Sequence, residues 1–171
     1  MHLRPTDAFR FTGARHKMGC RVFIAVALLL PGFASAQRFA FKYYSQDQGL
    51  ISLDVHSLLQ DRTGYVWVAT SDGVFRYDGA LFTGFHTPQG LPSNRIESLH
   101  QATDGTIWVG TRDGLARFEG DHFVRVSLPE PVAFLGQSGI ASDIHGSLYL
   151  ATSRGLWVMD RFRRAVKLYP Q

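Results

Sequence analysis

After residue 36 the chain holds five histidines: His56, His86, His100, His122 and His145. Imidazole can take or give a proton near neutral pH, and it is the commonest metal ligand. No two of the five stand in a His-x-x-x-His or His-x-Glu spacing, so no short motif gathers them for zinc or metal-assisted hydrolysis. Asp72 and Asp113 could pass for paired carboxylates doing acid–base work. Each precedes a glycine, Gly73 or Gly114, and that pattern reads as a turn. No helix follows to make either glycine part of a phosphate loop. Ser71 lacks the Gly-x-Ser-x-Gly surround of a nucleophile elbow. Arg76 and Arg117 carry planar guanidinium groups that could grip an acidic or sugar ligand. Pairing with turn acids such as Asp78 or Glu119 is the preferred reading. The expectation is therefore no catalytic residue, no cofactor and no metal, with ligand-binding residues unassigned.

The elements that position these groups follow from a repeat. Gly49-Leu50, Asp61, Gly64, Trp67-Val68-Ala69-Thr70, Asp72-Gly73, Arg76-Tyr77, Gly79 and Phe82 open the first copy. Forty-one residues on stand Gly90-Leu91, Gly105, Trp108-Val109-Gly110-Thr111, Asp113-Gly114, Arg117-Phe118, Gly120 and Phe123. A worn third copy keeps Gly146, Tyr149-Leu150-Ala151-Thr152 and Gly155-Leu156. In this register the five histidines fall opposite Glu97, Ser127, Leu59, Leu81 and Asp104, so they share no structural position and read as scattered surface groups.

Each copy contains four runs rich in β-branched and aromatic residues, separated by turn residues. They cover about 55–60, 65–70, 74–77 and 82–85, then 96–101, 106–111, 115–118 and 123–126, then 140–142, 147–152, 156–159 and 165–169. A 41-residue unit of four short strands is the signature of a β-propeller blade. A blade is apolar on both faces and needs neighbours to cover it. Trp67, Trp108 and Tyr149 share one repeat position, and Phe82 and Phe123 another. They read as inter-blade core; a ligand-stacking platform is the alternative. Phe41 and Tyr44 precede Phe82 and Phe85 by the same 41 residues, so Arg38–Ser45 reads as a fourth strand without a blade.

The fold class is all-β: four-stranded antiparallel blades, about three of them plus one spare N-terminal strand, an incomplete propeller. The repeats run about 49–89, 90–130 and 131–171, inside a propeller segment of 37–171. Three blades fall short of the four to eight of a typical closed propeller. The chain is accordingly read as the N-terminal part of a longer protein; the other reading is a short protein that self-associates through its exposed end blades.

Residues 1–36 read as a secretory signal peptide, with Arg4, Arg10, Arg15, Lys17 and Arg21 ahead of the apolar run 22–30 and Ala34-Ser35-Ala36 after it. Cleavage is expected after Ala36, with Met18 an alternative start. Cys20, the only cysteine, precedes the apolar run and reads as incidental. The chain has 18 basic and 14 acidic residues, but 5 of the basic and 1 of the acidic lie in 1–36, leaving 13 of each. A balanced charge gives no footprint for nucleic acid. No later apolar run is long enough to span a membrane.

The pattern Gly-Leu, Val/Ile-x-x-Leu-x-Gln, Gly-x-x-Trp-Val-Ala/Gly-Thr, Asp-Gly-Val/Leu-x-Arg-Tyr/Phe, Gly-x-x-Phe resembles the two-component regulator propeller repeat. Gly49–Phe85 and Gly90–Val126 carry the match, and Gly139–Met159 carries it weakly. The resemblance implies a periplasmic sensor propeller, normally followed by a membrane helix and a histidine kinase, hybrid kinase or diguanylate cyclase output. It implies an unknown small ligand, with carbohydrate fragments sensed by some members. An exported propeller lyase or hydrolase is the competing class. The third repeat departs from the pattern at Tyr149, Arg154 and Arg161.

Overall fold

The structure, a computed structural model, describes residues 40–160 and 164–169. The expected signal peptide, its cut after Ala36, Met18, Cys20 and Arg161 lie outside them. The described residues from Lys42 onward belong to one compact unit.

Blade 1 contains β1 (Val55–Gln60), β2 (Val66–Thr70), β3 (Gly73–Tyr77) and β4 (Phe82–Phe85). Blade 2 contains β5 (Ile96–Gln101), β6 (Ile107–Thr111), β7 (Gly114–Glu119) and β8 (His122–Val126). Blade 3 contains β9 (Ile140–Ser142), β10 (Leu148–Thr152), β11 (Gly155–Met159) and β12 (Ala165–Tyr169). Each is a separate four-stranded antiparallel sheet with its strands in sequence order. The expected all-β, three-blade architecture is the one observed.

One detail differs from the sequence reading. Gly73, Gly114 and Gly155 are not turn centres but the first residues of the third strands, paired with Thr70, Thr111 and Thr152. The turns themselves are Ser71-Asp72, Arg112-Asp113 and Ser153-Arg154. The glycines take φ of 123°, 132° and 102°, which a side chain would resist. The buried threonine closes each turn. Its hydroxyl donates to the glycine carbonyl at 2.9 Å in all three blades. It accepts from the next-but-one amide, Asp72, Asp113 or Arg154, at 3.1–3.2 Å. The threonine uses only the backbone of the Asp position, which is why Arg154 serves there; the Asp72 carboxylate is met separately by Asn94 Nδ2 at 3.5 Å.

The blades meet through two apolar seams. Trp67, Ala69, Val74 and Phe85 of blade 1 pack on Ile96, Leu99, Ile107, Val109 and Phe123 of blade 2. Trp67 lies 5.9 Å from Phe85, 4.9 Å from Phe118 and 6.2 Å from Phe123, mostly edge to face. Burying such a ring removes some 150–250 Å² from water, on the order of 4–6 kcal/mol gross. Trp108 and Leu115 of blade 2 pack on Leu148, Leu150, Trp157 and Met159 of blade 3. Phe134, from the loop before β9, fills this second seam beneath Gly110. A Cβ at Gly110 would lie 2.5 Å from the Phe134 ring, whereas Ala69 and Ala151 occupy the same repeat position elsewhere.

The aromatic repeat position is thus core where a following blade covers it. Trp67 and Trp108 are buried at 2 % and 0 % exposure, and Tyr149 is 38 % exposed. Of the expected spare strand Arg38–Ser45, residues 40–45 are described; they form no strand and join no ladder, since each of the three blades has four strands of its own.

Candidate functional site

The first strands of the blades, β1, β5 and β9, lie side by side and carry a row of polar groups. The β1–β2 and β5–β6 ladders each shift register once, between Val55 and Ser57 and between Ile96 and Ser98. A bulge re-aims a side chain out of the pleat, and the two re-aimed residues are His56 and Glu97. His56 Nδ1 donates to the Ile96 carbonyl of the next blade at 2.6 Å, and its Nε2 lies 3.4 Å from Asp54. Glu97 pairs with Arg95 at 2.8 Å. Both ring nitrogens of His56 are therefore engaged, which leaves it poorly placed as a general base.

His100 on β5 reaches across the second seam to the Ser142 hydroxyl of β9 at 2.8 Å. Burial holds its imidazole below the ordinary histidine pKa. This is the distance of a nucleophile and its base. Among the described residues no carboxylate bonds the other nitrogen to orient the ring, so the contact stands as an inter-blade bridge. The reading of the histidines as scattered surface groups is therefore corrected at His56 and His100: both sit on first strands and tie neighbouring blades. His122 is exposed beside Asp121. His86 packs on Phe75. Among the described residues no three His, Cys, Asp or Glu side chains gather as a metal site.

The arginines divide. Arg117 pairs with Glu119. Arg76 sits among aromatic rings instead, with its guanidinium centre 4.8 Å from Tyr65, 5.7 Å from Trp67, 5.8 Å from Phe85 and 5.7 Å from Phe118. Its expected partner is otherwise occupied: Asp78 accepts from the Ala80 and Leu81 amides at 2.8 and 2.9 Å and closes the β3–β4 turn. Those two amides, Leu81 foremost, hold the Asp78 carboxyl below its ordinary pKa. Arg76 thus clasps the first seam by cation–π attraction, and Lys167 lies over Trp157 at 5.6 Å in blade 3.

The opposite blade ends differ in a way the sequence shows only in register. Asp61 is buried and accepts four hydrogen bonds: Thr63 N at 2.9 Å, Thr63 Oγ1 at 2.6 Å, Tyr65 N at 3.0 Å and Trp67 Nε1 at 2.8 Å. Burial opposes its ionisation most strongly of any single influence. The bonds from Thr63, Trp67 and Tyr65 together outweigh burial and hold the carboxyl below its ordinary pKa. Next to it, Arg62 spans the first seam, its guanidinium donating to the Thr103 carbonyl at 2.8 Å. In blade 2 these two positions are Ala102 and Thr103, too short for either task. A cavity of about 330 Å³ opens there, lined by Ala102, Thr103, Asp104, Trp108, His145 and Leu148. It combines an apolar wall with a carboxylate, a hydroxyl and an imidazole, and its size is at the small end of ligand pockets. Among the described residues no helix is long and apolar enough to cross a membrane.

Residues 49–72 and 90–113 match the family described as two component regulator propeller. No curated protein matches the chain. Among solved structures, one match is the extracellular domain assigned to hybrid two component system BT3049 from B. thetaiotaomicron, with a TM-score of 0.62 and 22 % identity. That match covers 77 % of this chain and 19 % of the other. The extracellular domain assigned to hybrid system BT4673 of the same organism gives 0.61 at 22 % identity, covering 69 % and 17 %. Streptogramin B lyase gives 0.54 at 14 % identity, covering 69 % and 42 %. The chain thus spans less than a fifth of the two extracellular domains, and these likenesses establish a shared propeller-blade fold.

Proposed function

We propose that this chain, which carries two copies of the two component regulator propeller repeat, is the exported ligand-sensing segment of a signalling protein. Residues 1–36 act as the secretory signal, and 37–171 form the N-terminal blades of a periplasmic sensor. Its output, a histidine kinase, hybrid kinase or diguanylate cyclase, lies outside the segment, and the segment itself is non-catalytic. The observation that carries the reading is the pair of adjacent repeats in one 41-residue register. The ligand is an oligosaccharide fragment, and the cavity beside Ala102 and His145 is its subsite: mixed polar and apolar walls suit a sugar ring.

A thermal-shift screen of the purified segment against neutral and acidic oligosaccharides tests this. A ligand at a hundred times its dissociation constant stabilises by about 2.7 kcal/mol, so at least one should raise the melting midpoint by several degrees. Ala102→Leu, which fills the cavity, should abolish that shift. No shift from any oligosaccharide, or one that Ala102→Leu leaves intact, refutes the assignment.

One observation favours a hydrolytic enzyme as second reading: the Ser142–His100 contact. That reading requires ester or amide hydrolysis that disappears in Ser142→Ala.

A further inference from the structure

The first seam between blades shows what fills the corner that is open in the second. In the first, the Asp61 carboxylate accepts from the Trp67 indole at 2.8 Å. Beside it, Arg62 reaches across to blade 2 and its guanidinium donates to the Thr103 carbonyl at 2.8 Å. One repeat later Ala102 and Thr103 hold these two places, and the carbonyl equivalent to that of Thr103 belongs to Ile144, in the β9–β10 turn. The Thr103 side chain is too short to follow Arg62 across the seam. Among the described residues nothing donates to the Ile144 carbonyl.

The carboxylate of this corner has moved as well. Blades 1 and 3 keep it at Asp61 and Asp143, whereas blade 2 carries it two residues later, at Asp104. Asp104 still takes the amide that belongs to the turn, Thr106 N at 2.9 Å, as Asp61 takes Tyr65 N and Asp143 takes Ser147 N. Its charge, however, now stands on the wall of the cavity, which His145 from the next blade also lines. The floor is apolar: Ala102, Trp108 and Leu148 are all buried. A carboxylate offers about four lone-pair sites, more than the Thr106 amide uses. The cavity thus presents a carboxylate and a carbonyl as acceptors, and its described lining contains no lysine or arginine.

Given that the cavity is an oligosaccharide subsite, the reading on which this rests, we propose that it selects neutral sugars and rejects acidic ones. Hydroxyls of the sugar donate to the Asp104 carboxylate and to the Ile144 carbonyl, where Arg62 donates to Thr103 in the first seam. The carbon-borne face of the ring lies on Ala102, Trp108 and Leu148. A uronate or sulfate group fits badly for two reasons. It accepts hydrogen bonds and donates none, so it cannot satisfy either acceptor. It also sets a negative charge beside Asp104 with no lysine or arginine to offset it, and like charges brought together in a binding site are strongly unfavourable. Asp104 and the length of residue 103 are therefore the determinants of which sugar enters.

The test measures melting midpoints of the purified chain near neutral pH with matched oligosaccharides: glucose, galactose and mannose tetramers, each against its uronate counterpart. A neutral member should raise the midpoint by several degrees, and its acidic counterpart should not. Asp104→Asn keeps the size of the side chain and should weaken binding of that neutral sugar by at least about tenfold, since hydrogen bonds to an ionised group are the stronger kind. Thr103→Arg restores the donor that Arg62 supplies in the first seam. It should abolish binding while leaving the ligand-free midpoint unchanged or higher. Neutral binding that either variant leaves intact overturns the proposal. So does an acidic sugar that binds as well as its neutral counterpart; if Ala102→Leu removes that shift, the subsite reading survives and only the selectivity falls. No shift from any of the tetramers overturns both.

Discussion

Replacing Asp61 by alanine removes the acceptor of four hydrogen bonds at once. Two come from Thr63 and one from the Tyr65 amide, all near enough to solvent for water to substitute in part. The fourth comes from Trp67 Nε1 at 2.8 Å, on a residue only 2 % exposed. A buried donor left without a partner costs about 1–3 kcal/mol, and hydrogen bonds to an ionised group are worth more than neutral ones. Together the loss should be about 3 kcal/mol, a large share of the 5–15 kcal/mol typical of a domain. With a urea slope of about 2 kcal/mol/M, the unfolding midpoint should fall by roughly 1.5 M. Tryptophan fluorescence during urea unfolding measures it. Asp61→Asn is the sharper variant: its amide cannot accept from Trp67 on one side and from Thr63 and Tyr65 on the other, so it too should destabilise despite equal size. The pH dependence has a fixed sign. The folded carboxyl titrates below its ordinary value, so its contribution is complete above the unfolded value near 4 and lost as pH falls through the folded one. The gap between parent and Asp61→Asn should close in that acid window. Asp143 supplies an internal comparison. It is the same repeat position, but its ring partner is the half-exposed Tyr149 at 3.4 Å, so Asp143→Ala should lose less than Asp61→Ala. A midpoint shift below about 0.3 M for Asp61→Ala, or an equal loss at Asp143, would refute the reasoning.

Four further positions give smaller effects. Arg76→Gln should lower stability by about 1 kcal/mol through lost cation–π contact without changing the response to any oligosaccharide, as read by melting with and without ligand. Thr111→Val should cost about 1–3 kcal/mol in urea unfolding by stranding the Gly114 carbonyl and Asp113 amide, while Asp113→Arg should stay within about 0.5 kcal/mol because blade 3 already carries Arg154 there. Burial lowers the His100 pKa, so the unfolded chain takes up a proton there first as pH drops below its ordinary value near 6.5. The urea midpoint should fall between about pH 7 and 5.5, and His100→Gln should flatten part of that slope.

The register was legible because blades repeat the same local chemistry: the Thr-x-x-Gly turn, the paired indoles and the strand-length runs all recur at fixed spacing. The strand bounds follow from the runs to within one residue at each end, and the miss at Gly73, Gly114 and Gly155 arose because a positive-φ glycine can begin a strand as well as centre a turn. The roles of the charged groups were less legible, because they depend on who lies across a seam. Asp78 sits beside Arg76 in sequence, yet its lone pairs go to two local amides and leave the guanidinium to four rings, one of them Phe118 in the next blade. His56 and His100 share no repeat position and look scattered; each bridges to a different blade. The cavity is visible in the sequence only as Ala102 and Thr103 standing where Asp61 and Arg62 stand, a pair of absences that matter once the blades are stacked.

That comparison across equivalent positions also says what kind of object the three blades are. Leu99, Trp67 and Trp108 show how deeply the repeat buries these positions when a neighbour is present. Leu58 on one end and Tyr149 on the other show the same positions without one. Isolated exposed apolar residues are ordinary on a protein surface; residues whose structural equivalents are buried in the same chain are different, because the sequence has kept them apolar at a site that elsewhere is core. On blade 1, Tyr44 packs on Tyr77 and Phe82 and the turn at Gln46–Gln48 repeats the one at Thr87–Gln89. Blade 3 differs on its open face, where Tyr149 takes the place of an indole and can meet water through its hydroxyl. The two ends are therefore unequal: one leaves the aliphatic Leu58 and Val55 exposed, and the other presents the more solvent-tolerant Tyr149.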